Sequence, residues 1–270
     1  MADVVLYEVS ERIATITLNR SDARNALSSE VLRLLPELAR RADADDDVDV
    51  VILTGADPAF CAGLDLKELG STGGNLRGPG AVGEDRPDLG TVDGRPGPFP
   101  ELAKPVIGAI NGVAVTGGFE VALACDFLVA SERARFADTH ARIGVQPGWG
   151  LTVLLPQAVG VRRARQLSVT GNFLDAATAL AWGLVNHVVA HDELLPFCRQ
   201  LAADIVSNDQ AGVRRILRTY AENEFTDRAE GWRNEARVAG AWLRAGGATP
   251  EDVEARRRAV MERGRTQTST

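Results

Sequence analysis

Residues 4–9 (VVLYEV) and 13–18 (IATITL) alternate apolar and polar positions on either side of a short turn at 10–12. A period of two over such lengths predicts a pair of strands joined as a hairpin. Between Asn25 and Ala42 the period changes. Leu32, Leu35, Leu38 and Ala39 form an apolar stripe at helical spacing, with Ser28 as N-cap. Pro36 lies inside that stripe and is expected to kink or divide the helix, because it has no N–H to donate. VDVVILTG (48–55) reads as a buried strand that leads into the loop ADPAFCAGLDL. Further on, KPVIGAINGVAV (104–115) is a strand with a tight turn, and TGGFEVALACD (116–126) a short apolar helix entered through two glycines. FLVAS (127–131) is another buried strand, and residues 136–150 form a loop. LTVLLPQAVGVRRARQLSVTG and DAATALAWG are helical, LVNHVV closes as a strand, and from His191 onward the pattern is helical almost to the end. Strands alternating with helices, then helices alone, give an α/β fold with a helical C-terminal extension.

Composition interrupts this picture once. Residues 70–100 are dense in glycine and proline and cannot hold a long regular helix. The expectation is a mobile excursion, either a lid over whatever site the rest of the chain builds or a disordered insertion without function. Taken whole, the 270 residues, 45% hydrophobic and 25% charged, are those of a globular chain. A formal net charge of −7 argues against nucleic acid as a partner. No basic region followed by an apolar core opens the chain, so no signal peptide is expected, and no apolar run is long enough to span a bilayer. Cys61, Cys125 and Cys198 are far apart in sequence, which fits reduced thiols of a cytoplasmic protein and neither disulfides nor a metal site.

The chemistry concentrates in three segments. Gly117 and Gly118 open the short helix of TGGFEVALACD, where backbone N–H groups lack acceptors and lie at the positive end of the dipole. Glycine there lets an oxyanion approach closely. Glu120 follows one turn later among Phe119, Val121 and Ala122, so a carboxyl group stands beside that anion site, where a general acid or base would be useful. In FCAGLDLKEL the turn Ala62-Gly63-Leu64 follows a strand, and the N–H of Leu64 is a second candidate donor. The third segment, FADTHARIG, holds His140, one of only three histidines. Its ordinary pKa near 6.5 suits proton transfer at neutral pH. His187 and His191 have no apparent carboxylate partner and are assigned no role. GWGLTV is not a dinucleotide fingerprint, and neither a G-x-S-x-G elbow nor a Walker loop is present.

FCAGLDLKEL, KPVIGAINGVAVTGGFEVALACDFLVAS, FADTHARIGVQPGWG and TGNFLDAATALAWGLVNHVV resemble, in order and spacing, the motifs of the enoyl-CoA hydratase/isomerase (crotonase) family. The resemblance implies a crotonase-like ββα spiral core over residues 1–190 and a helical oligomerisation region over 191–270, assembled as a homotrimer or homohexamer. It implies an oxyanion hole from the N–H groups of Leu64 and Gly117 that holds an acyl-CoA thioester carbonyl. Glu120 falls on the first catalytic glutamate of the hydratases. Arg24, Ala62, Gly63, Asp65, Lys67, Gly118 and Trp149 fall where the family contacts CoA or substrate. No separate cofactor is implied, since coenzyme A arrives as part of the substrate. Two positions depart from the pattern. Thr116 stands in the family's three-glycine run. His140 stands where hydratases carry a second glutamate, in a segment resembling FGQPEIxLG. The expected activity is hydration of a trans-2-enoyl-CoA to a 3-hydroxyacyl-CoA, with Glu120 and His140 as the acid/base pair. Its rivals are a double-bond isomerase, which needs one base, and a non-catalytic acyl-CoA-binding protein.

Overall fold

The computed structural model describes residues 3–71, 97, 99–224 and 226–268. Most of the glycine- and proline-rich stretch, and with it the expected lid, lies outside the described residues. The hairpin forms as read. β1 (Val5–Ser10) and β2 (Ile13–Leu18) pair antiparallel, from Val5 opposite Leu18 to Ser10 opposite Ile13. Glu11 and Arg12 turn the chain with φ of 53° and 65°, the positive pair that a two-residue hairpin loop requires. The helix α1 (Ser29–Ala44) follows, and Ser28 caps it by accepting the Val31 N–H. Contrary to expectation, α1 runs undivided through Pro36. Val31, Leu32, Leu35, Ala39 and Ala42 are all buried, and their packing offsets the one hydrogen bond that proline removes.

The next elements in chain order are β3 (Val50–Gly55), β4 (Ala59–Cys61), α2 (Leu66–Ser71), β5 (Val106–Ile110), β6 (Val113–Val115) and α3 (Gly117–Leu123). After them come β7 (Phe127–Ser131), β8 (Arg135–Ala137), α4 (His140–Ile143), α5 (Leu151–Val159) and α6 (Val161–Thr170). The series ends with β9 (Leu174–Asp175), α7 (Ala176–Trp182), β10 (His187–Val189) and α8 (Leu194–Val206). The expected loop 136–150 therefore contains the end of a strand and a short helix. α4 starts at His140 because Asp138 and Thr139 turn the chain, and it ends at Gly144 in the left-handed region.

Two sheets result. The larger has the order β1-β2-β3-β5-β7-β10, parallel from β2 onward. It is covered on both faces. Val50 and Ile52 join Leu194, Cys198 and Ala202 of α8 in one apolar cluster, while Val51 and Leu53 join the main core with α1. That period of two within β3 explains why the strand reads as a continuous apolar run. The smaller sheet has the order β4-β6-β8-β9, with β4, β6 and β8 parallel. All three cysteines are buried and unpaired, and burial pushes the Cys61 and Cys198 thiols up to about 12.

One compact unit comprises Met1–Arg214 and a second Arg215–Thr270. The second is built from the end of α9 (Gln210–Asn223), α10 (Arg228–Arg244) and α11 (Pro250–Thr268). Within it Asp227 caps α10, the Asn234 amide bridges Glu222 and Asn223, and Arg215 stacks over Trp242 at 4.9 Å.

Candidate active site

The three chemistry-bearing segments sit at the carboxyl ends of three neighbouring parallel strands. Ala62-Gly63-Leu64 follows β4, Thr116-Gly117 follows β6, and Asp138-Thr139-His140 follows β8. Parallel pairing sends all three turns off the same edge, where α/β sheets generally bind ligands. The turns enclose a cavity of about 280 Å³, whose walls include Arg24, Ala62, Leu64, Thr116, Gly117, Glu120, Thr139, His140 and Trp149.

Close backbone approach explains the glycines. A Cβ on Gly118 would lie 2.2 Å from the Cys61 carbonyl oxygen, so the start of α3 rests directly on β4. One on Gly117 would lie 2.7 Å from the Trp149 ring, and Gly63 adopts φ +87°, which favours glycine. Leu64 forms a parallel bridge with Leu27 whose hydrogen bonds run through its neighbours, from Leu27 N–H to Gly63 O and from Asp65 N–H to Leu27 O. The Leu64 N–H therefore faces away from Leu27. The Gly117 N–H is the first of α3 and has no intrahelical acceptor. Neither N–H meets a protein acceptor among the described residues.

Glu120 is 2% exposed and its two oxygens are differently engaged. Oε1 accepts the backbone N–H groups of Trp149 at 2.8 Å and Leu151 at 3.4 Å, at the start of α5. Oε2 lies 3.5 Å from His140 Nε2. On the far side of the imidazole, Nδ1 is 2.6 Å from Asp138 Oδ1, which also accepts the His140 backbone N–H. His140 is thus gripped between two buried carboxylates. Burial is the largest single influence on it and disfavours the charge. Asp138 and Glu120 together outweigh that cost and raise the imidazole from 6.5 to about 9. Burial likewise opposes ionisation of Asp138, but hydrogen bonds from His140 and the Ser168 hydroxyl win, and its carboxyl stays below its ordinary value.

The sequence model of the enoyl-CoA hydratase/isomerase family matches residues 8–240. A probable peroxisomal enoyl-CoA hydratase of Arabidopsis thaliana is 42% identical over 76% of this chain and 73% of its own. A crotonyl-CoA hydratase of Syntrophomonas wolfei is 35% identical over 83% of each chain. The crystal structure of an enoyl-CoA hydratase from Mycobacterium tuberculosis superposes with a TM-score of 0.73 at 49% identity, covering 88% of this chain and 98% of that one.

The chain belongs to the enoyl-CoA hydratase/isomerase family.

Of the residues at which the chain resembles that family, Arg24, Ala62, Leu64, Gly117, Glu120, His140 and Trp149 line the cavity, whereas Gly63, Asp65, Lys67 and Gly118 do not. Asp65 caps α2 by accepting the Lys67 and Glu68 N–H groups and pairs with Arg20 at 2.9 Å. Lys67 is exposed. Sequence reasoning missed Leu66, Leu69, Val113, Ile143, Val145 and Phe173, the apolar wall of this family member's cavity. They come from four separate segments, and no local signal marks them. It also misjudged His191, whose Nε2 is 3.0 Å from Asp57 Oδ2 and whose Nδ1 is 3.0 Å from the Ser131 hydroxyl. That pair stands outside the residues of the cavity wall.

Proposed function

We propose that this chain hydrates trans-2-enoyl-CoA thioesters to 3-hydroxyacyl-CoA. The observation that carries the reading is a buried carboxylate and imidazole 3.5 Å apart at a cavity that two unengaged backbone N–H groups also border. In this reading Leu64 and Gly117 donate to the thioester oxygen and stabilise the enolate as it forms, each donor contributing on the order of 3 kcal/mol. The two N–H groups held by Oε1 fix the orientation of Glu120 and leave Oε2 as the reactive oxygen. Oε2 takes a proton from water as the water oxygen attacks C3. His140, charged at neutral pH, delivers its Nε2 proton to C2. Glu120 is then protonated and His140 neutral, and transfer across the short gap between them restores the resting state. Asp138 orients the ring by holding Nδ1–H, so that Nε2 carries the mobile proton.

The carboxylate–imidazole pair favours hydration over the rival chemistries. An isomerase needs a single base, and a binding protein has no use for a buried acid/base pair beside the thioester. Arg24 and Lys67 are assigned to CoA phosphates. Coenzyme A enters with the substrate, and no step requires a further cofactor or a metal ion. Assembly as a trimer or a pair of trimers is part of the proposal, supported by Trp232, Leu243, Val260 and Met261, which are exposed in the single chain. Cytoplasmic residence belongs to it as well; no helix among the described residues is long and apolar enough to cross a membrane. The test feeds 2-enoyl-CoA and 3-enoyl-CoA separately. A hydratase converts the first to 3-hydroxyacyl-CoA. Consumption of 3-enoyl-CoA alone makes the protein an isomerase, and tight binding with turnover equal to buffer makes it a binding protein.

A further inference from the structure

Thr116 adopts φ 55° and ψ −115°, a conformation that a β-branched residue is normally excluded from. Its backbone holds two neighbours. The Thr116 N–H donates to Ala137 O at 2.9 Å, and its carbonyl accepts the Glu120 N–H at 3.0 Å. Its side chain reaches the third turn. Thr116 Oγ1 is 2.5 Å from Thr139 Oγ1 and accepts the Thr139 N–H at 3.3 Å. Thr139 is the residue immediately before His140. One strained residue therefore touches the segment carrying Glu120 through its backbone and the segment carrying His140 through its hydroxyl. Glycine would adopt this backbone without strain but would leave the Thr139 N–H and hydroxyl without that partner.

We propose that Thr116 is a positioning residue for the Glu120–His140 pair, its hydroxyl clasping Thr139 so that the imidazole is held at its working distance from the carboxylate. The inference rests on the acid/base reading above. It predicts a separation that a purely structural threonine would not produce, because relief of strain and loss of the clasp act in opposite directions. The charged groups facing the imidazole are Asp138, from the turn after β8, and Glu120, from α3.

The experiment compares Thr116→Gly with Thr116→Ser in the full chain. It measures kcat and KM on a 2-enoyl-CoA, the melting temperature, and the titration of the His140 ring by nitrogen NMR. Thr116→Gly is expected to melt no lower than wild type, to lose about ten- to a hundredfold in kcat with KM little changed, and to titrate His140 at lower pH. Thr116→Ser, which keeps the hydroxyl, is expected to retain the wild-type His140 titration. Wild-type kcat and titration in a folded Thr116→Gly overturn the inference. Should that variant fail to fold, Thr139→Ala against Thr139→Ser makes the same comparison with residue 116 untouched. A wild-type protein that does not hydrate 2-enoyl-CoA defeats the functional reading instead, and the NMR titrations still decide whether the clasp positions the ring.

Discussion

His140 and His191 are each bonded to an aspartate, at 2.6 Å for Asp138 and 3.0 Å for Asp57. The first pair is enclosed, its side chains 8% and 1% exposed; in the second the Asp57 side chain is 63% exposed. Water therefore competes for Asp57 but not for Asp138. A second carboxylate, Glu120, faces His140 from the opposite side, whereas the other nitrogen of His191 meets the Ser131 hydroxyl. The aspartate–histidine bond is common to both places. Burial and a second charge make one pair a candidate for catalysis and leave the other a surface tie between the segments around residues 57 and 191.

The largest effects should separate the two histidines by activity. Glu120→Gln and His140→Ala are each expected to lower kcat by about 100- to 10,000-fold with acyl-CoA binding nearly intact. The double variant should be little worse than either single one, since the two groups act as a unit in one addition and exchange the proton that resets the site. His191→Ala should stay within about twofold of wild type, because loss of an exposed ion pair costs little. Steady-state kinetics on the four variants checks this, and normal turnover by a folded His140→Ala would remove the histidine from the mechanism. Asp138→Asn comes next, with an expected loss of about tenfold or more and an alkaline limb of kcat/KM moved below its wild-type position near 9, since the imidazole loses its nearer anion.

Stability gives a smaller but independent contrast. The folded-state pKa of His140 is raised from 6.5 to about 9, so its contribution is complete below 6.5 and is lost as pH rises through 9. Asp138 runs the other way: its depressed pKa stabilises the fold above the ordinary carboxylate range and is lost in acid. Urea unfolding at about pH 6 and about pH 10 should show wild type losing on the order of 3 kcal/mol more than His140→Gln between the two. The smallest expected effect is that of Asp57→Asn, about 0.5 kcal/mol or less at neutral pH by the same measurement. A loss comparable to that of the buried pair would abolish the contrast.

How much of this was legible depended on the length of each element. β1, β2 and β3 announce themselves because six residues of alternating or continuous apolar character leave little choice. β4, β8 and β9 have two or three residues each, too few to show a period, yet β4 and β8 carry two of the three site turns. The site residues were read from chemistry, through paired glycines ahead of a helix, a carboxyl group in an apolar run and a histidine out of pattern. The Asp57–His191 contact joins residues 134 positions apart and left no local trace. Pro36 misled because the rule about proline is local, while the packing of Leu32, Leu35 and Ala39 that overrides it is tertiary.

The contact between Gly118 and the Cys61 carbonyl has a consequence for engineering. Where two pieces of main chain touch with no side chain between them, their spacing is set by the thickness of the polypeptide itself. The separation of the turns after β4 and β6 is then a constant of the fold, beyond the reach of ordinary amino-acid substitution. Variation among such proteins, natural or designed, is left to the walls of the cavity and to the groups facing it from the third turn. Transplanting this site onto another scaffold would begin with that bare strand-to-helix contact, before a single reactive side chain is chosen.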